Sequence, residues 1–129
     1  GVILKTIEAY PSGNIRSKSF YKDGDMKEWI SYYDHPGRTK QWIRYIDGLQ
    51  EGWQEFWYEN GNRNNRIFYV NGKKEGKWWQ YREDGSLSEL RHYKDNLAHG
   101  TWTYYEDDGT TVQRICIYED SFLKECTYL

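Results

Sequence analysis

Short segments rich in aromatic and β-branched residues alternate along the chain with short polar segments that contain glycine. Residues 66–70 and 102–105 are of the first kind, and Tyr, Trp, Ile, Phe and Thr favour strands. The polar segments carry dipeptides such as Asp23-Gly24, which suit the positive φ angles of two-residue hairpin turns. No segment between turns is long enough, or rich enough in Ala and Leu, for a helix. The pattern therefore predicts about ten or eleven strands joined as consecutive hairpins.

The turn signals and the aromatic residues recur with a period of 24 residues. The turn positions are Gly13, Gly24, Gly37, Gly48, Gly61, Gly72, Gly85, Asn96 and Gly109, with Asp120 next in the series of Asn96. Further series are Gly52, Gly76 and Gly100; Tyr21, Tyr45, Tyr69, Tyr93 and Ile117; and Tyr33, Trp57, Tyr81 and Tyr105. Several series with one period indicate an internal repeat. The predicted units are 1–24, 25–48, 49–72, 73–96 and 97–120, with a half unit at 121–129.

Two strands in each unit predict an all-β fold, an elongated single-layer antiparallel meander that forms one repeat domain over residues 1–129. Aromatic residues fall on both faces of this sheet, because Trp53 and Trp57 alternate with Phe56 and Tyr58. Either the sheet curls around a trough, or large rings half cover each face. Exposed rings in a row predict a partner-binding surface. Its candidate residues are Trp29, Tyr33, Trp53, Trp57, Trp79, Tyr81 and Tyr105.

The composition places the chain close to the disordered class, with a mean hydropathy of −1.06, but its net charge is only −2. Seven Trp and thirteen Tyr can build a core in place of aliphatic residues. No apolar run approaches the roughly 20 residues of a membrane span, and the start lacks a signal-peptide pattern. We therefore expect a cytoplasmic protein, or a virion protein if the source is viral. The cysteines, Cys116 and Cys126, are expected to be reduced thiols rather than a bridge.

No residue pattern points to catalysis or metal binding. His35, His92 and His99 stand apart, and His99 takes the position of a turn residue. Histidine–cysteine clusters and a nucleophile elbow are absent from the sequence, and the glycines are spaced for hairpins rather than for phosphates. Carboxylates such as Asp107 and Asp108 fit solvated turns better than a calcium loop. We expect no enzyme, no catalytic residue, no metal and no cofactor.

The segment Tyr69-Val-Asn-Gly-Lys-Lys-Glu-Gly-Lys-Trp78 resembles the MORN repeat, in the variant form typical of YwqK-like toxin–antitoxin repeat proteins. The first unit is expected to be the weakest match, since Thr6 and Ala9 stand where Trp and Tyr are typical. The last half unit carries Lys124 in place of a glycine and Cys126 in the Trp series, which suits a terminal repeat. The resemblance implies a scaffold for protein–protein interaction, antitoxin-like or structural, and brings no catalytic residues with it.

Two binding functions remain open. The first is a protein partner, which includes another copy of the chain. The second is an anionic phospholipid membrane, because Lys and Arg lie among the Trp residues. Lys18, Arg66 and Arg114 share a repeat phase and could stack into a stripe. Nucleic acid is disfavoured, because Asp and Glu are interleaved throughout and the charges nearly balance.

Overall fold

The computed structural model describes residues 3–129 as one open antiparallel β-sheet. The strands are β1 (Ile3–Ala9), β2 (Ile15–Lys22), β3 (Asp25–Tyr32), β4 (Thr39–Ile46), β5 (Leu49–Gln50), β6 (Gly52–Trp57), β7 (Arg63–Val70), β8 (Lys73–Tyr81), β9 (Leu87–Lys94), β10 (Leu97–Ala98), β11 (Gly100–Tyr105), β12 (Val112–Glu119) and β13 (Phe122–Tyr128). The sheet order is β1-β2-β3-β4-β6-β7-β8-β9-β11-β12-β13, while β5 pairs with β4 and β10 with β9. The predicted all-β meander is confirmed.

Two kinds of turn alternate along the chain. At one edge of the sheet both turn residues have positive φ, as in Asp23-Gly24 and Asn71-Gly72, which matches the predicted type I′ turn. The sequence predicts the same turn at Asn60-Gly61, Asp84-Gly85 and Asp108-Gly109, and this is wrong, because only the glycine of each pair has positive φ.

Hydrogen bonds identify the second kind of turn as a longer loop. Gly61 N donates to Tyr58 O at 3.0 Å, and Tyr58 N donates to Asn62 O at 2.8 Å. This is a three-residue hairpin loop, in which only the last residue must be left-handed. Asn60 can therefore keep a negative φ, although the dipeptide looks the same as in a type I′ turn.

One inserted residue shifts the register of the last unit. Arg82 N donates to Ser86 O in one loop, whereas Glu106 N donates to Thr111 O in the next, so that loop is one residue longer. The type I′ turn that follows is Asp120-Ser121, and Ser121 takes the place of Asn96. The last members of two sequence series, Ile117 and Asp120, are therefore misassigned by one residue. Tyr118, not Ile117, is the counterpart of Tyr93.

A similar insertion, in the loop after Tyr33, changes the membership of the second aromatic series. Tyr33 N donates to Arg38 O, one residue further than the Tyr58–Asn62 bond. Tyr32 pairs with Thr39 as Trp57 pairs with Arg63. The series is therefore Tyr32, Trp57, Tyr81 and Tyr105, and Tyr33 belongs with Tyr10 and Tyr58.

The glycines of the third series form bulges rather than turns. Gly76 has a φ of 83°, and it lies where the three residues from Ile67 to Tyr69 in β7 face the five residues from Lys74 to Trp78 in β8. His99 precedes the equivalent Gly100, and its N–H donates to His92 O at 3.0 Å. The prediction of His99 as a turn residue is therefore wrong, since it lies in a bulge between β10 and β11.

The cross-strand pairs assign every buried residue to one face of the sheet. Directly opposite residues share a face, and so do alternate residues of a strand. The buried residues are Ser17, Ser19, Ser31, Ile43, Gln54, Ile67, Ala98 and Cys116. They all lie on the face that carries the pairs Ser17–Ser31, Gln54–Ile67 and Trp102–Cys116, here named the packed face. The opposite face, here named the open face, holds no buried residue among those described.

A disulfide joins Cys116 to Cys126 across β12 and β13, with the Cα atoms 4.1 Å apart. The expectation of reduced thiols is therefore wrong. Ile117 pairs with Glu125, but Tyr118 pairs with Leu123, so Lys124 is an extra residue in β13. This bulge moves Cys126 directly opposite Cys116 on the packed face, where the two sulfur atoms meet.

Candidate interaction surface

Aromatic and basic side chains dominate the middle of the open face. Register pairs run from Ile30 to Trp42, from Trp42 to Glu55, from Arg66 to Trp79 and from Trp79 to Leu90. Trp53 and Phe68 lie beside this line, with an edge-to-face contact at 5.2 Å between ring centroids. These rings are half-buried by their neighbours within the sheet. Since the described residues form a single sheet, no second layer of this part of the chain covers them.

Basic groups lie over several open-face rings. The guanidinium of Arg66 is 3.9 Å from the Trp53 centroid, and that of Arg44 is 4.3 Å from the Trp42 centroid. The ammonium groups of Lys18 and Lys77 lie 5.6 Å from the Tyr32 and Trp79 centroids. These are cation–π distances. We name this set of rings and cations the cation–aromatic row.

Glu55 is the main counter-charge within the row. Its side chain is 12% exposed and lies 3.4 Å from both Arg44 and Arg63. Arg66 and Lys77 make no ion pair within residues 3–129. The row therefore keeps surplus positive charge, although the whole chain carries a net charge of −2. Much of the acidic charge lies in the turns instead, as at Asp84 and Asp108.

The structure divides the predicted partner-binding residues between the two faces. Trp53, Trp57, Trp79, Tyr81 and Tyr105 lie on the open face, as the alternation around Trp53–Phe68 and Trp79–Leu90 shows. Trp29 pairs with Ser19 and Ile43 and so lies on the packed face. Tyr33 follows Trp29 and Ser31 on that same face, and partial burial raises the pKa of its hydroxyl.

Trp42 and Tyr32 also belong to the row, although they are not among the predicted partner-binding residues. The sequence does indicate the position of Trp42, because Trp42 shares the 24-residue phase of Lys18 and Arg66. Tyr32 was hidden by the longer loop after it, which places Tyr33 in its series by simple counting. Arg114 does not join Lys18 and Arg66, because the inserted residue in the preceding loop moves it to the packed face, opposite Tyr104.

The packed face carries its own ladder of rings. Trp78, Tyr93, Trp102 and Tyr118 follow one another with centroid distances of 5.6, 5.6 and 4.5 Å. Arg91 lies between Trp78 and Trp102, at 4.7 and 4.9 Å from their centroids. These contacts join consecutive strands of two adjacent units and stabilise this part of the sheet.

Histidines and turn carboxylates have structural partners. His92 Nδ1 donates to Thr101 O at 2.7 Å, and His35 Nδ1 donates to Pro36 O at 3.2 Å. Hydrogen bonds from Thr111 and Thr110 lower the pKa of Asp108 to about 2. Residues 3–129 contain no group of three or more His, Cys, Asp or Glu side chains that could hold a metal ion. Within the same residues, no helix is long and apolar enough to cross a membrane.

The profile of the MORN repeat variant family matches residues 6–23. The match falls on the first unit, so the expectation that this unit matches least is wrong. Residues 6–23 contain one three-residue turn and its two flanking strands, and the same hairpin recurs through the sheet. The first hairpin of this chain is thus similar to a MORN repeat.

Solved structures and curated proteins give no further indication of function. A crystal structure of TarM aligns with 77% of this chain and 19% of its own, at 10% sequence identity and a TM-score of 0.45. This chain thus spans about a fifth of that protein's length, and a likeness at this level supports no inference about function. No curated protein matches the chain.

Proposed function

We propose that this chain is a non-enzymatic repeat scaffold whose open face binds a protein partner with an acidic surface. The cation–aromatic row carries the proposal. Trp and Arg are the residues most enriched where binding energy concentrates in protein interfaces. A partner that offers carboxylates to Arg66 and Lys77 and apolar atoms to Trp57 and Trp79 would complement both features.

The size of the open face is sufficient for a stable complex. Eleven strands along the main path of the sheet, at a spacing of about 4.8 Å, extend about 50 Å, and strands of about eight residues extend about 25 Å. The face therefore offers about 1,200 Å², more than the roughly 800 Å² that each partner contributes to a standard interface.

Affinity capture with matched variants tests the proposal. Trp79→Ala and Arg66→Glu alter the row, whereas Lys94→Glu makes the same charge change on the same face but outside the row, at the exposed end of β9. We expect one retained protein to bind the wild type and the Lys94→Glu variant, and to be lost from the other two. Retention of the same proteins by all four would contradict the proposal. Circular dichroism of each variant shows whether the sheet is intact.

The identity of the captured protein decides the finer function. A toxin would support an antitoxin role, and a capsid or envelope protein would support a structural role in a virion. Retention of a tagged second copy, together with a concentration-dependent mass in solution, would support self-association. The YwqK-like resemblance favours the first of these.

An anionic membrane is the second candidate, because the same row combines Lys and Arg with Trp. Flotation with phosphatidylserine vesicles separates the two functions. Binding at low salt that disappears at high salt and in Arg66→Glu would favour the membrane. Absence of binding at low salt would exclude this candidate and leave the protein partner.

A further inference from the structure

Two clefts on the open face repeat one another at an interval of one unit. The first has a volume of about 320 Å³ and an aromatic wall from Tyr32, and the second has about 290 Å³ and a wall from Trp57. Gly37 lines both clefts, so they are adjacent. The two rings are equivalent by register, because Tyr32 pairs with Thr39 as Trp57 pairs with Arg63. The open face therefore carries the same kind of cleft twice.

Two strand spacings separate the aromatic walls of these clefts. Tyr32 ends β3 and Trp57 ends β6, and β4 lies between these two strands in the sheet. Because neighbouring strands lie about 4.8 Å apart, the rings recur about every 9.6 Å across the strands. Tyr81 at the end of β8 and Tyr105 at the end of β11 continue the series at the same interval.

This interval matches one turn of a polyproline II helix. Such a helix rises about 3.1 Å per residue in three-residue turns, so every third side chain recurs after about 9.3 Å. In an extended strand, alternate side chains recur after roughly 6.6 Å, which does not fit the interval. Since neighbouring strands are rotated by roughly 20°, the match holds for a few turns and favours a short segment.

Polar atoms of the two rings are available to a bound segment. The Tyr32 hydroxyl and the Trp57 indole N–H make no hydrogen bond within residues 3–129, and both remain accessible, whereas the indole N–H of Trp42 is buried. A polyproline II helix has no internal hydrogen bonds, so its carbonyl groups are available as acceptors. Each ring can therefore pack on a proline and donate to a main-chain carbonyl.

The charge of the clefts favours an acidic segment. Lys18 lines the first cleft and Arg38 the second, and neither cleft is lined by a carboxylate of residues 3–129. The Lys18 ammonium lies 5.6 Å from the Tyr32 centroid, and Arg38 Nη1 donates to Glu59 O at 2.5 Å, so each cation is held beside its cleft. An acidic residue next to a proline would be attracted to these cations.

We propose that the open face binds a short, proline-rich segment in the polyproline II conformation, with prolines three residues apart and acidic residues beside them. Successive prolines occupy the clefts at Tyr32 and Trp57, and a carboxylate lies next to Lys18 or Arg38. The preformed helix loses little conformational entropy on binding. This inference rests on the proposed function, because it names the segment by which the acidic protein partner is held.

NMR titration of the full chain with synthetic peptides tests the inference. The test peptide repeats Pro-Glu-Leu, one control has the same composition with prolines at alternate positions, and a second control has lysine in place of glutamate. We expect the Trp57 indole N–H signal to shift saturably with the test peptide. Both controls should bind at least about tenfold more weakly, because one loses the spacing and the other the charge match.

Substitutions in the clefts provide the matched variants. Tyr32→Ala and Trp57→Ala each remove one aromatic wall and should weaken binding at least about tenfold. Lys18→Glu keeps both rings and should also weaken it, so the test does not depend on the stability of the ring variants. Phe122→Ala removes a ring that is 71% exposed on β13, away from the clefts, and should leave binding unchanged.

Three results would overturn the inference. They are an unchanged Trp57 signal with the test peptide, equal affinity for the test peptide and either control, and full binding by a folded Trp57→Ala variant. The capture experiment judges the proposed function separately. A partner lost from Trp79→Ala and Arg66→Glu, without peptide binding, would keep the proposed function and reject the proline-rich segment. Peptide binding with capture unaffected by those two variants would support the clefts as a peptide site and reject the proposed function.

Discussion

The hydroxyl of Tyr58 donates a hydrogen bond to the main-chain carbonyl of Tyr81, 23 residues further along the chain, at 2.7 Å. Tyr10 and Tyr33 make the same bond to Tyr32 O and Trp57 O, at 2.7 and 2.6 Å. In the next unit Arg82 replaces the tyrosine, and its Nη2 donates to Tyr105 O at 2.8 Å. Each of these four hairpin loops is thereby tied to the following unit.

Substitution of this hydroxyl should destabilise the sheet. Because Tyr58→Phe leaves the Tyr81 carbonyl without its donor and keeps the ring, we expect a loss of about 1 kcal/mol in the free energy of unfolding. Tyr45→Phe is the matched control, since the Tyr45 hydroxyl has no hydrogen bond within residues 3–129. Urea denaturation measures both, and equal losses would show that the bond does not stabilise the fold.

Two turn glycines should differ in their tolerance of alanine. Both have positive φ, 94° at Gly13 and 73° at Gly109, so alanine is strained at each by roughly 1–2 kcal/mol. A Cβ at Gly13 would meet no atom within 4 Å, whereas at Gly109 it would lie 3.0 Å from the Cβ of Ser86. Gly109→Ala should therefore lower the thermal midpoint more than Gly13→Ala. The reverse order would contradict the packing of that loop against Ser86.

Reduction of the disulfide should loosen the C-terminal strand first. The bridge closes a loop with a sequence separation of 10, for which chain entropy predicts a stabilisation of about 2–3 kcal/mol. Hydrogen exchange with and without dithiothreitol should show faster exchange in β13, with β6 to β8 little changed, because each strand contacts mainly its neighbours. Uniformly faster exchange in all strands would contradict this independence.

The carboxylate of Asp108 should titrate well below its ordinary range. The side chain and N–H of Thr111 and the N–H of Thr110 donate to it, and they lower its pKa from 3.8 to about 2. A depressed pKa stabilises the folded state above pH 3.8, and this stabilisation is lost as the pH falls towards 2. Thr111→Val should raise the pKa measured by carboxyl carbon NMR. An unchanged value would mean that backbone donors alone hold the carboxylate.

The sequence predicts the architecture because the repeat is local. Dipeptides such as Asp23-Gly24 fix tight turns, and strand composition between them leaves one topology. The register of strand pairing could not be predicted in the same way. One residue inserted before Thr111, or one bulge at Lys124, changes every later pairing. Those single residues decide that Tyr118 aligns with Tyr93 and that Cys126 meets Cys116.

The candidate surface was only partly predictable for the same reason. Alternation around Trp53 and Trp79 assigns those residues correctly to one common face. Trp29 and Tyr33 lie in the unit whose spacing departs from 24, and counting alone places them on the wrong face. The alignment of Gln54 with Trp29 and Trp78 depends on the same register and does not follow from a strict count of 24 residues.

The division into a packed and an open face is the central claim, and one NMR measurement tests it directly. Ile67 pairs with Trp78 on the packed face, while Trp79 pairs with Arg66 on the other. A slip of one residue would exchange these faces along the whole strand. A nuclear Overhauser spectrum should connect the Ile67 methyl groups to the indole of Trp78 and to Gln54. Contacts from Ile67 to the indole of Trp79 instead would contradict the account.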